Sequence, residues 1–418
     1  MKRLSHDLAY RYSRETFHVR RRQLLGGGLF AAWASFLGAP VALGAPTQGS
    51  RPCPAAVHWP QWQAFRDHFI QKDGRVLDAS TAWQHSSSEG QSYAMFFALV
   101  ANDPETFERL WRWAVNNLAR GNIHETLPAW LWGVNDQGQW GVIDDNSASD
   151  GDVWFVYDLL EAARLWNRPD YQRDAMALLA QIEQKEVAVL PDFGAMLLPG
   201  FRDFVRTDGI WQLNASYLVL PLFRRLALAA PDGPWEEVAR NTVKVYQGAG
   251  QHGYAADWVG WQVLPGQPGR FIDDPVKGEL GSYDAIRTYM WAGVTPEDDP
   301  LHDALLQSLH GMARQVRLTG LPPEKIQVSA GTVSQVGPFG FSAALVPYFR
   351  ALGDVDSMRI QQERASKGWQ DSLSSEALAQ AQPPYYDHVL NLFSSGWQDG
   401  HYSFLKSGEL RVAWEKQC

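Results

Sequence analysis

From Trp59 onward, apolar positions recur at helical spacing in segments a few tens of residues apart. Ser86 and Glu89, three apart, read as a capping box, and Tyr93, Phe96, Phe97 and Val100 continue from them on one helical face. Phe107, Leu110, Trp111 and Val115 form the stripe of a helix over 104–118. Val153, Val156, Leu159, Leu160 and Ala163 form another that starts near Asp150. The same spacing predicts helices over 171–184, 214–229, 234–248, 283–293, 300–318, 341–352 and 373–381, and a last one near 385–393. Strand-like alternation is scarce; its best case is 401–414, with Ser407-Gly408 as a hairpin turn. The pattern is therefore all-α: about a dozen helices in pairs, joined by Gly-, Pro- and Trp-rich loops. No fixed-period repeat is visible, which argues against a tetratricopeptide or ankyrin array. Paired helices without a solenoid period can close into a toroid with inner and outer rings, a topology the pattern permits without requiring.

Residues 1–45 follow a different pattern. A basic stretch ends in Arg20-Arg21-Arg22, followed by Gln23-Leu24-Leu25, an apolar glycine-rich run and a small-residue site at Ala42-Leu43-Gly44. This reads as a cleavable export signal of twin-arginine type, with Arg20 standing where Ser or Thr is usual. Gly26 to Gly28 and Pro40 interrupt the apolar run, against the alternative of a stable membrane anchor. The expected compartment is the periplasm or the exterior. No charge run or low-complexity stretch divides 46–418, so it reads as a single domain. The only two cysteines, Cys53 and Cys418, are expected to pair in an oxidising compartment if the chain ends meet; two free thiols on frayed ends are the alternative.

Charge narrows the partners. The formal charge is −9, and residues 1–45 carry seven Lys/Arg against two Asp/Glu, so their removal leaves −14. Such a surface repels phosphate backbones and anionic membranes and is indifferent to neutral polysaccharide. The 19 Trp, 19 Phe and 14 Tyr point the same way, since indole faces suit the apolar faces of sugar rings, although many of these rings must be core. His85 and His124 lack metal-ligand spacing, and neither a G-x-S-x-G elbow nor a phosphate-binding loop is present. No metal or cofactor is expected.

Three segments place a carboxylate at a helix start beside aromatic or hydroxyl residues: Ser88 to Tyr93 with Glu89, Ala148 to Asp152 with Asp150, and Ser282 to Arg287 with Asp284. In a toroid the N-termini of inner helices open onto one end, where such carboxylates can converge. Glycosidic cleavage needs two of them, one to protonate the leaving oxygen and one to activate water or attack the sugar. Each motif taken alone is read sooner as ordinary capping of a helix dipole than as catalytic. The dipole lowers a carboxyl pKa, so an acid role for Glu89 requires burial or a neighbouring charge to raise it.

Together the stretches Ser88 to Tyr93, Leu127-Pro128-Ala129-Trp130-Leu131-Trp132-Gly133, Asn146 to Trp154 and Tyr283-Asp284-Ala285-Ile286-Arg287 resemble glycoside hydrolase family 8. The likeness runs from Trp59 to about Phe349 and is strongest to the branch that accompanies bacterial cellulose synthases. It implies an (α/α)6 barrel with minor β-hairpins and an endo-β-1,4-glucanase that cuts cellulose or β-glucan with inversion. It further implies a monomer with a cellulose-synthase export complex as a second partner beside the glucan. The family's proton donor falls on Glu89 and its base on Asp284. Asp150 falls on a residue assigned either as nucleophile or as the group that holds the distorted sugar; an inverting reaction uses water, which favours the second. Tyr93, Trp132, Trp211, Asn214, Tyr217, Tyr283 and Arg287 are the expected sugar-subsite residues, and Arg287, one turn from Asp284, is able to pair with a carboxylate. Phe155, Val156 and Asp158 depart from the family signature; Asp158 is expected either in solvent or near the cleft. Xylan, mixed-linkage glucan and chitosan are alternative substrates within the family. A non-catalytic polysaccharide-binding or secretion-assisting protein is the alternative of another class, disfavoured by the presence of all three carboxylates.

Overall fold

Two kinds of helix alternate along the chain in the computed structural model, which describes residues 57–81 and 83–417. One kind is largely buried on every side: Ser88–Val100, Ser149–Trp166, Leu220–Ala229, Ala285–Val294, Phe339–Ala351 and Tyr385–Gln398. A helix without a polar face must be surrounded by other elements, so these six form the inner ring. The first five are followed by helices with one exposed face: Pro104–Asn117, Pro169–Lys185, Trp235–Ala249, His310–Thr319 and Val355–Ser372. The sixth outer helix, Pro60–Phe69, packs on the last inner one. Inner helices touch in chain order, with the turn Ala215–Tyr217 linking Leu220–Ala229 to Ala285–Val294, and the last touches the first. The ring closes into the expected (α/α)6 barrel.

The inner ring's centre is aromatic: Phe96, Trp154, Trp291 and Phe393 are fully buried, with centroids 5.0–5.7 Å apart in their contacting pairs. Connections from each outer helix to the next inner helix all lie at one end of the barrel, and here the structure adds what periodicity did not show. They contain short antiparallel strands, among them Leu131–Val134 with Trp140–Asp144 and the sheet Ile210–Leu213, Val259–Gln262 and Arg270–Asp273. Runs such as Leu131-Trp132-Gly133-Val134 and Val259-Gly260-Trp261 hold no polar residue between their apolar ones, so period two does not show. The expected hairpin is present as Tyr402–Phe404 paired with Leu410–Val412, turning through Gly408 at φ +82°.

Other departures have local causes. Ser87, not Ser86, caps the first inner helix by accepting from the Gly90 N–H at 3.1 Å, while Ser86 Oγ is drawn to the Val76 carbonyl. Glu89 is thereby released from the capping box. The helix expected over 214–229 breaks before Leu220 because Pro221 has no N–H and its ring clashes with a helical carbonyl four residues back, so it fits only in a first turn. The one expected over 300–318 divides into His302–Gln307 and His310–Thr319, where the Ser308 and His310 side chains bond to backbone carbonyls. Val355–Ser372 lacks an apolar stripe altogether; only Ser357, Gln361 and Ala365 are fully buried. Polar bonds dock it instead, with Ser342 Oγ donating to Gln361 at 2.6 Å and accepting from Arg364 at 2.7 Å. The signal at 1–45 and the Cys53–Cys418 pair lie outside the described residues.

Candidate active site

Glu89, Asp150 and Asp284 stand at the starts of three inner helices, at the end of the barrel that carries the short strands. Close approach of the first two starts depends on Gly151: a Cβ there would lie 2.9 Å from both the Glu89 nitrogen and Ser88 Oγ. The Glu89 carboxyl accepts from Trp130 Nε1 and Ser88 Oγ, each at 3.2 Å. Trp130 is fixed in turn by backbone bonds to Ser88 and Asn146, which enter the Glu89 and Asp150 helices.

Arg287 joins the other two carboxylates. Its Nη1 donates to Asp150 Oδ2 at 3.2 Å and to the Tyr93 hydroxyl at 3.0 Å. Its Nη2 donates to Asp284 Oδ1 at 2.9 Å and to Ser216 Oγ at 3.0 Å. Asp150 is 1% exposed; its Oδ2 also accepts from Tyr93, and its Oδ1 accepts from the Gly151 N–H. Asp284 is more open, with a quarter of its side chain exposed, and its Oδ2 accepts from Trp258 Nε1 at 3.2 Å and Asn214 Nδ2 at 3.4 Å.

Burial is the largest influence on Glu89 and pushes its carboxyl up, against its own backbone N–H, Arg287, Ser88 and Trp130. Asp150 is also pushed up, first by burial and then by the charge of Glu89, against Arg287. Ionising one disfavours ionising the other. The Arg287 guanidinium pairs directly with Asp150, whereas Glu89 is bonded by neutral side-chain donors, an asymmetry that favours the charge on Asp150 and the proton on Glu89. Behind the site, fully buried Asp152 lies beside Glu186. Burial pushes Glu186 up to about 7, and burial with the Glu186 charge pushes Asp152 well up from the ordinary carboxyl value. Neither Asp152 oxygen meets another donor, so the pair is stable only while it keeps a proton.

Asp257 holds the Asp284 turn. Its Oδ1 accepts from the backbone N–H groups of Ser282 at 2.8 Å and Ala285 at 2.7 Å, while the next residue, Trp258, binds the Asp284 side chain. Burial, then the charge of Asp284, pushes Asp257 up to about 7.

The expected subsite residues divide. Tyr93, Asn214 and Arg287 bond directly to the carboxylates. Tyr217, half-buried, has the Arg287 guanidinium 5.7 Å from its ring centre. Trp132 lies on the strand two residues beyond Trp130. Trp211 lies three residues before Asn214 on Ile210–Leu213, with no hydrogen bond or ring contact to the three carboxylates among the described residues. The Tyr283 ring packs on Phe341 at 5.1 Å and Tyr386 at 6.0 Å, and its hydroxyl bonds to Glu324, in the wall and not on one of the three helix-start carboxylates. Asp158 is neither in solvent nor at the cleft: it is fully buried on its helix beyond Asp150, where burial and Glu161 hold it protonated. Sequence reasoning missed Trp130, Trp258, Asp257 and Ser216 as site residues. Trp130 lay inside a quoted motif, while the other three come from loop and turn segments with no pattern of their own.

The chain matches the model of "Glycosyl hydrolases family 8" over residues 52–400. It is 46% identical over 367 residues to an endoglucanase of Pseudomonas fluorescens, covering 86% of this chain and 92% of the relative. An endoglucanase of Xanthomonas axonopodis is 44% identical over 396 residues, covering 95% and 98%. The crystal structure of an endo-1,4-D-glucanase from Vibrio fischeri superposes with a TM-score of 0.78 at 36% identity, covering 85% of this chain and 99% of that one.

Proposed function

The chain belongs to glycoside hydrolase family 8, and from that premise we propose an endo-β-1,4-glucanase that inverts configuration, with Glu89 as acid and Asp284 as base. The activity is that of its relatives; the residue roles are inferred from the site. One observation carries them: three helix-start carboxyls in unlike surroundings, with Asp150 and Asp284 bridged by Arg287 and Glu89 bonded to Trp130 and Ser88. Unlike surroundings are how one site keeps an acid and a base at the same pH.

In the reaction Glu89 gives its proton to the glycosidic oxygen as the C–O bond breaks. Asp284 takes a proton from a water that attacks the anomeric carbon from the opposite face. An inverting reaction uses water and not a carboxylate nucleophile, so Asp150, fixed by Arg287 and Tyr93, suits holding the distorted sugar and stabilising positive charge at the anomeric carbon. Arg287 bridges both aspartates and fixes their positions. The same reading extends to a single catalytic domain over 46–418, monomeric, exported to the periplasm or beyond, and acting beside a cellulose-synthase export complex. Among the described residues no helix is long and apolar enough to cross a membrane.

Reducing-end assays on carboxymethyl cellulose, xylan and chitosan test the activity, with cellulose expected to be preferred. Glu89→Gln and Asp284→Asn should each bind substrate and lose about 10²–10⁴-fold in turnover. Near-normal turnover in either variant removes that residue from the role.

A further inference from the structure

Trp130, on Glu89, leads straight into the hairpin of Leu131–Val134 and Trp140–Asp144, whose first strand also pairs with Ser86 and Ser87 at the entry to the Glu89 helix. The register sets Trp132 opposite Val142 and Val134 opposite Trp140, so both indoles stand on one face. Their centroids are 5.4 Å apart and their planes 26° from parallel. Trp113 meets the Trp132 ring edge-on at 5.4 Å. The Arg75 guanidinium lies 4.6 Å from the Trp132 ring centre and 4.8 Å from that of Trp140. Arg75 is itself buried, and donates to Ser86 Oγ at 2.8 Å and to the Gln84 carbonyl. A neighbouring ring and a cation thus hold Trp140 in place, yet it is 52% exposed. Among the described residues it is the one tryptophan in the set of exposed large hydrophobic side chains.

Leaving half of an indole in water forgoes its burial, and pinning it removes the rotamer freedom a surface side chain keeps. A flat, immobile, exposed ring is a preorganised stacking surface. β-Glucopyranose carries its hydroxyls equatorially, so each ring face is a patch of C–H bonds that suits the negative face of an indole. We propose that Trp140 is a distal sugar subsite, on which a pyranose ring of the same β-1,4-glucan chain stacks while another part of that chain lies at Glu89. The inference rests on the glucanase reading above, and continuity through Trp130 is what assigns the occupant. The fixed Arg75 cation beside the stack also disfavours a protonated glucosamine ring, so the platform selects a neutral glucan over chitosan.

Trp140→Ala and Trp140→Phe in the full chain test the platform by their dependence on substrate length. The ratio of kcat/KM for soluble polymer to that for the shortest cello-oligosaccharide cleaved should fall about tenfold in Trp140→Ala and recover in Trp140→Phe. In a Glu89→Gln background, calorimetric affinity for long cello-oligosaccharides should fall by a similar factor through Trp140→Ala, with a smaller change for cellotriose. An unchanged ratio together with length-independent affinities overturns the platform and leaves the glucanase reading standing. Absence of any β-1,4-glucan cleavage by the unaltered chain overturns that reading instead, and the binding series still decides the platform.

Discussion

Glu89 is the residue whose surroundings do most to set the reaction. Its acid form is needed, so activity is present below its pKa and lost as pH rises through it. The Trp130 indole stabilises the carboxylate form and so works against the upward push of burial. Trp130→Phe should therefore move the alkaline limb of kcat/KM to higher pH, by about 1 unit for one hydrogen bond to the carboxylate. A pH–rate profile checks it, and a limb that stays in place or moves down contradicts the assignment. Asp257 allows a second test. Asp257→Asn keeps an acceptor for the Ser282 and Ala285 N–H groups, whereas Asp257→Ala leaves both free. The alanine variant should lose on the order of 10–10²-fold in kcat through misplacement of Asp284, and the asparagine variant should recover most of it. The three carboxylates and Arg287 were legible in the sequence because each sits in a motif at a helix start. Asp257 and Trp258 were not, because their partners lie some 25 residues along the chain and nothing local marks the pairing.

Among elements, the barrel's inner helices were the most legible, since their apolar runs are long and continuous. The outer helix Val355–Ser372 was invisible for the opposite reason: it docks through Gln361 and Arg364 rather than through an apolar stripe. Gln361 is fully buried, accepts from Ser342 and donates to the Gly320 carbonyl at 3.0 Å. Gln361→Leu should destabilise the chain by about 1–3 kcal/mol for each partner left unsatisfied, with little change in turnover. Denaturant unfolding measures this, and an unchanged midpoint would show that packing alone holds the helix. The strands around the cleft escaped sequence reading because runs such as Leu131–Val134 and Val259–Gln262 are apolar at successive positions and show no period-two alternation.

Across the whole molecule, several buried carboxyls are pushed up to about 7, among them Glu186, Asp257 and Asp387, each chiefly by burial. The folded chain keeps protons there that the unfolded chain releases near pH 4. Their contribution to stability is fully present below the unfolded pKa and is lost as pH rises towards about 7. Glu186→Gln removes one such group, so the fall in thermal midpoint between pH 5 and pH 8 should be smaller in that variant by a few degrees. An equal or steeper fall would mean that the Asp152–Glu186 pair does not hold its proton in the folded chain. The barrel places the three helix-start carboxyls at one end, and the account stands on Asp284 activating water rather than on any carboxylate attacking the sugar. Proton NMR of the first products from a soluble cello-oligosaccharide tests this most directly. The α-anomer should appear first and then mutarotate, whereas initial β-anomer would require a covalent glycosyl intermediate and contradict the roles given to Asp284 and Asp150.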